Sequence, residues 1–396
     1  VVQDTRAGAL CKYACRNDTL APSTETEETG MAWYGGRNWT REELLSRIGD
    51  PHQVAGARSS ILTDGKADGV RAVDVSTGSG FCFTVLPGRG MDIPFASYKG
   101  KSISFFSGTG ITSPAYFEEP GLGWRRSFSV GLLSTCGIAN AGAPSVDQGQ
   151  AFGLHGRVGN AAAENLSVEQ EWEGNEFPIR LKGTMREAEA MVENLSLTRT
   201  VETRLGARGL TIHDTVRNRG FSPQPLMLLY HFNFGFPLLG SGARVVGPIT
   251  KTVARNEDAR KDKGVEECLT FPEPVQGYAE KVFFHSLAAR ADGSTFIALL
   301  NPDTGDGQPL GMVMRWNRKE LPEFTEWKMP CKGFYVVGLE PGTVQPHGRG
   351  PLREQGKLPM IEGQASHDVT ISIEILDTPA ELAAVEKEAK ELASKG

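Results

Sequence analysis

Hydrophobic and polar positions alternate with a period of two along much of this chain. VTISIEI, at 369–375, sets Val369, Ile371, Ile373 and Ile375 on one face and Thr370, Ser372 and Glu374 on the other, the pattern of a half-buried antiparallel strand. Residues 194–218 read as two strands around a glycine-containing turn at 206–209, and residues 294–317 as a second pair joined by a polar loop. Strands do not alternate regularly with helices, which argues against a parallel α/β sheet. Two helices are expected. TREELLSRIG (40–49) opens with Thr40 as N-cap and Glu43 three residues on, and stops at Gly49. Residues 378–396 open with Thr378, Pro379 and Glu381 and carry an apolar stripe of Leu382, Val385, Ala389 and Leu392, which packs on the sheet or on a partner. The expected architecture is all-β. It has an N-terminal extension (1–36), one large antiparallel sandwich (37–377) and a C-terminal helix (378–396). A homo-oligomer stays open.

One stretch departs from the alternation. LLYHFNFGFPLLG, at 228–240, has the composition of a buried sheet, yet His231 and Asn233 stand two residues apart inside it. In a strand they share a face, with Tyr230, Phe232 and Phe234 on the other. Buried polar groups are costly unless they are paired or used, so this face needs an explanation.

Composition narrows the function classes. With 42 Lys and Arg against 48 Asp and Glu, the formal net charge is −6, and no nucleic-acid footprint is expected. No run approaches the roughly 20 apolar residues that span a bilayer. The N-terminal residues show no apolar signal segment. Six cysteines are scattered, without a C-x-x-C pair, which argues against a structural zinc site and for a reducing, cytoplasmic compartment.

Further polar clusters stand out against the β background. LPGRGMDI (86–93) offers Arg89 and Asp92. Residues 121–142 hold Trp124, Arg125, Arg126 and Asn140. FGLHGRVGN (152–160) sets His155 and Arg157 between glycines, and the β run of 326–343 ends in Glu340 before Pro-Gly. Each has a bland reading: a turn ion pair, a packed tryptophan, a core histidine, a strand-end carboxylate.

Together, LPGRGMDI, GLGWRRSFSVGLLSTCGI, GLHGR, LYHFNFGFPLL and GLEPGT resemble the aldose 1-epimerase (galactose mutarotase-like) superfamily, and more closely its DUF4432 branch, in order over roughly 41–376. The resemblance implies a β-supersandwich that interconverts sugar anomers by ring opening, without a cofactor. By motif position Glu340 takes the C1 hydroxyl proton, His231 protonates the ring oxygen, and His155 contacts the ring oxygen or a hydroxyl. Arg89, Asp92, Trp124, Arg126, Arg157 and Asn233 would line the sugar. The sequence departs from the family in places. His155-Gly156-Arg157 stands where mutarotases have H-G-G, and their substrate-orienting aspartate is not found. Arginine's planar fork suits carboxylate or phosphate, so the three arginines raise an acidic sugar. The alternative is that they orient Asp92, Glu340 or backbone carbonyls.

Two other readings remain. A metal-dependent sugar isomerase, epimerase or lyase would use His155, His231 and Glu340 as ligands, with atoms about 2.0–2.2 Å from one centre. A non-catalytic carbohydrate-binding protein would show affinity without turnover. For the acid–base reading, the three side chains should converge with a sugar-sized gap between the tips of acid and base.

Overall fold

A computed structural model of the chain describes residues 31–395. Two large antiparallel sheets face one another, one of eight strands and one of eleven, so the expected all-β sandwich is present. The pairs read from the sequence lie side by side in the eight-stranded sheet: Asn194–Arg204 with Gly209–Asn218, then Ser366–Leu376, Leu310–Asn317 and Ser294–Asn301. The eleven-stranded sheet has the central order Lys281–Leu287, Glu323–Cys331, Phe334–Gly342, Leu229–Phe234, Leu133–Cys136, Asp92–Tyr98. One continuous core joins the sheets, with Tyr230, Phe232 and Phe234 packed among Ile212, Ile371 and Met314.

The C-terminal helix, Pro379–Ala393, has the expected capping box at Thr378 and Glu381. Its stripe of Leu382, Val385, Ala389 and Leu392 covers Phe296, Ala298, Leu300 and Val313 on the outer face of the eight-stranded sheet. That is why STFIALLN is apolar on both faces. The helix expected over 40–49 is only Arg41–Leu45. Ser46 Oγ and Arg47 Nη1 both donate to the carbonyl of Glu43, and this side-chain capping ends the helix before Gly49. The expected boundary at residue 36 falls inside a hairpin, Ala32–Tyr34 with Arg37–Trp39, whose Ala32 belongs to the main core. The rest of the expected extension, 1–30, lies outside the described residues. Among the described residues no helix is long and apolar enough to cross a membrane.

A polar network crosses the core behind the His231 strand. The fully buried Arg199 donates from Nε and Nη2 to Asp214, at 2.9 and 2.7 Å, and from Nη1 to Thr135 Oγ1 at 2.8 Å. Tyr230 donates its hydroxyl to Asp214 at 2.7 Å. Because side chains alternate, anchoring Tyr230 and Thr135 inward turns their neighbours His231 and Ser134 outward.

Candidate active site

Register builds the site. Leu229 pairs with Gly342 and Phe232 with Leu339, which sets His231 beside Glu340. His231 also pairs with Ser134 on one flank, and Glu340 with Thr325 on the other. A polar row of Ser134, His231, Glu340 and Thr325 therefore crosses four strands on the face turned away from the core. In the next row Gly338 stands between Asn233 and Trp327. A Cβ on Gly338 would meet Glu340 Oε1 at 2.6 Å and His231 Cε1 at 3.2 Å, so its hydrogen leaves the space the pair occupies.

His155 arrives from a loop. Its φ of 60° is left-handed, uncommon for a non-glycine residue. The loop is pinned at three points: His155 N–H donates to Gly142 O at 2.9 Å, His155 O accepts from Gly137 N at 3.1 Å, and Asn140 Nδ2 donates to Gly153 O at 2.8 Å. Gly156 has no room for a Cβ, which would lie 2.1 Å from Asn140 O. The loop brings the His155 ring to 5.7 Å from that of His231. Trp124 packs on His155 at 4.7 Å, and Phe128 and Trp327 lie 5.2 and 5.4 Å from His231. His231, Glu340 and His155 thus gather in one buried cluster walled by aromatic rings.

Burial sets the protons. It pushes the Glu340 carboxyl up to about 8 and the His231 imidazole down to about 4. Burial, then the neighbouring His231, lowers His155 to about 3. A charged form loses hydration in such a place, so acids rise and bases fall. His231 Nε2 and Glu340 Oε1 stand 3.2 Å apart. The angular alignment of a hydrogen bond is missing, and Glu340 Oε1, His231 Nδ1 and His155 Nδ1 are all buried without a protein partner. The sugar-sized gap expected between acid and base is therefore not there; the two tips touch.

The other residues singled out from the sequence divide sharply. Trp124 and Asn233 are at the cluster. Asn233 shares the His231 face but commits its amide to the backbone carbonyls of His231 and Val130. Asp92 is turned into the core, where it accepts from the backbone and hydroxyl of Thr135 at 2.9 and 2.7 Å, 3.8 Å from Arg199. Burial raises it to about 6 against the pull of Arg199. Arg89 is buried as well, donating to Gly159 O at 3.2 Å. Arg126 pairs with Glu118, and Arg157 with Glu119 and Glu193. With all three arginines engaged by the protein, the expectation of an acidic sugar loses its ground. The alternative ligand set does not gather either. Among the described residues, one group of three donors has its ligand atoms within 4.8 Å of one another, and it is Cys268, His285 and Glu326.

Sequence reasoning missed Phe128, Thr325, Trp327, Gly338, Arg255 and Glu280. Glu280 accepts from Trp327 Nε1 at 3.0 Å and from Arg255 at 2.9 Å, and both charges act on the proton of Glu340. A single strand carries no signal for them, since cross-strand register decides which residues stand beside Glu340.

The sandwich has the galactose mutarotase-like fold. The family model described as a domain of unknown function, DUF4432, matches residues 67–375, and the chain belongs to that family. A protein of Klebsiella pneumoniae, provisionally described as an aldose 1-epimerase, superposes with a TM-score of 0.80 at 27% identity over 85% of this chain and 87% of its own. A galactose mutarotase-like protein of Clostridium acetobutylicum gives 0.58 at 14% identity, over 82% and 100%. Galactose 1-epimerase of Lactobacillus acidophilus gives 0.54 at 10%, over 82% and 99%. At those two identities the likeness is one of fold. No curated protein matches the sequence.

Proposed function

We propose that the chain is a cofactor-independent isomerase of the aldose 1-epimerase type, acting on a sugar through Glu340, His231 and His155. The observation that carries this reading is the buried carboxyl–imidazole contact, with polar atoms on both sides free for a ligand. Contact between the tips suits the chemistry. The C1 hydroxyl oxygen and the ring oxygen are bonded to the same carbon, so the groups serving them need not stand a ring's width apart. One proton shared by the pair is enough. At rest burial keeps this proton on Glu340; once it passes to His231 across their 3.2 Å contact, Glu340 as carboxylate takes the hydroxyl proton while protonated His231 delivers one to the ring oxygen, and after rotation about C1 the roles reverse and the ring closes on the other face. Trp124, Phe128 and Trp327 pack around the two histidines. Arg255 and Glu280, whose charges act on Glu340, are of opposite sign and paired at 2.9 Å.

The singly protonated pair is the working state, so the pH profile of kcat/KM should be a bell. Below about 4 His231 takes up a second proton, and above about 8 Glu340 gives up the last one. The test is two-dimensional NMR exchange between anomers across neutral, acidic and phosphorylated sugars. Exchange of a neutral aldose well above the spontaneous rate supports the reading. Binding without exchange makes the protein a carbohydrate-binding module, and turnover that chelation abolishes makes it a metal enzyme.

Gly338→Ala offers a steric check. The added methyl must displace the Glu340 carboxylate or the His231 ring, so exchange should fall at least tenfold while circular dichroism still reports a folded sandwich.

A further inference from the structure

Behind the Thr325 face of the same sheet lies a second polar cluster that the proposed chemistry does not use. Glu326 pairs with Phe283 across the strands Glu323–Cys331 and Lys281–Leu287, and His285 lies on the same face two residues on. Neither side chain has any exposure. Cys268 reaches them from the segment 255–280 and is itself buried. We infer that Cys268, His285 and Glu326 form a binding site for a divalent cation of the zinc class.

Three observations carry the inference. The ligand atoms all lie within 4.8 Å of one another, near enough to close on a single ion. His285 Nδ1 is 2.9 Å from Thr252 Oγ1, an outer contact of the kind that fixes a ligating imidazole with its Nε2 lone pair forward. That Nε2 meets Glu326 Oε2 at 2.9 Å, close enough for both atoms to serve one ion. The other carboxylate oxygen, Glu326 Oε1, is buried with no partner at all. An imidazole, a carboxylate and a thiolate are the mixed N/O/S donors that zinc accepts, with a fourth position left for water. A catalytic cysteine triad does not fit, because both imidazole nitrogens are directed elsewhere than the thiol.

Among the described residues, Lys328 is a cation beside the cluster. It donates to the carbonyls of Glu267 and Thr270, which flank Cys268. A cavity of about 530 Å³, lined by Asp258, Asp262, Glu267 and Lys328, lies on the Lys328 side of the cluster. The site would tie the segment that carries Arg255 and Glu280, whose charges act on Glu340, to the sheet. The missing C-x-x-C pair is no obstacle, because the three ligands come from separate parts of the chain.

The test titrates the metal-stripped full chain with Co²⁺. A single equivalent should produce the ultraviolet thiolate-to-cobalt charge-transfer band, and Zn²⁺ should displace it. Cys268→Ser should abolish the band, Glu326→Gln should weaken binding at least tenfold, and His231→Asn should leave both unchanged. Zn²⁺ should raise the unfolding temperature of the wild type and not that of a folded Cys268→Ser or Cys268→Ala protein. Absence of the band in folded wild type overturns the inference and leaves a shared proton in the cluster. A band that survives Cys268→Ser, or is lost in His231→Asn, also overturns it by placing the ion elsewhere.

Discussion

Replacing Glu340 by glutamine should slow anomer exchange by about a hundredfold or more while sugar binding persists. Glutamine keeps the shape and the contact with His231 but can neither accept nor release the proton that the pair shares. His231→Asn should act in the same direction. The same Glu340→Gln variant should gain stability in alkali. In the folded protein Glu340 keeps its proton up to about 8, against an ordinary value of 4.5. Between those values the folded state binds the proton that the unfolded chain has lost, so the group's contribution to stability falls as pH rises through the window. Glutamine removes that slope, and the difference should reach a few kcal/mol, on the order of 1.4 for each pH unit of the window. His231 has the opposite sign. Its value is depressed from 6.5 to about 4, so its contribution is complete above 6.5 and is lost on acidification towards 4. Unfolding curves for wild type and Glu340→Gln between pH 5 and 9 would check both signs. A variant that is less active and no more stable at high pH would mean that the carboxylate is already ionised in the folded protein.

The second large effect should come from the core. Arg199→Met leaves Asp214 buried against one tyrosine hydroxyl, with Thr135 and Asp92 short of their cation. Removing one partner of a buried ion pair typically costs about 3–5 kcal/mol. Denaturant unfolding of Arg199→Met should show a loss of that order, and Arg199→Met with Asp214→Leu should recover part of it. A smaller part belongs to Tyr230→Phe, at about 1 kcal/mol. Because Tyr230 is the inward neighbour of His231, Arg199→Met should also lower exchange activity under conditions where the protein is still folded. Unchanged stability would show that the network contributes nothing net.

Much of this could be read in the chain. Period-two alternation disclosed the long strands of the eight-stranded sheet, because one of their faces meets the core and the other meets water or a helix. The capping residues placed both helix starts, since a cap is a local hydrogen bond. They did not place the end of the first helix, which depends on where Ser46 and Arg47 send their side chains. The polar pair in an apolar strand pointed to His231, and the glycine-flanked histidine to His155.

The rest needed three dimensions. Arg89, Asp92, Arg126 and Arg157 have the chemistry of a sugar site, yet Asp92 and Arg89 are in the core and the other two are tied to glutamates. A charged residue's type does not say which face of its strand it occupies or which carboxylate will lie within its reach. The sequence by itself determined the strands, the alternation that separates an inner face from an outer one, and the residue types capable of proton transfer. The tertiary structure alone decided that Glu340 touches His231, that Gly338 leaves them room, and that Cys268 meets His285 and Glu326. Those contacts follow from cross-strand register and sheet packing, which join positions up to about a hundred residues apart, and burial on that packed face is what moves the protons.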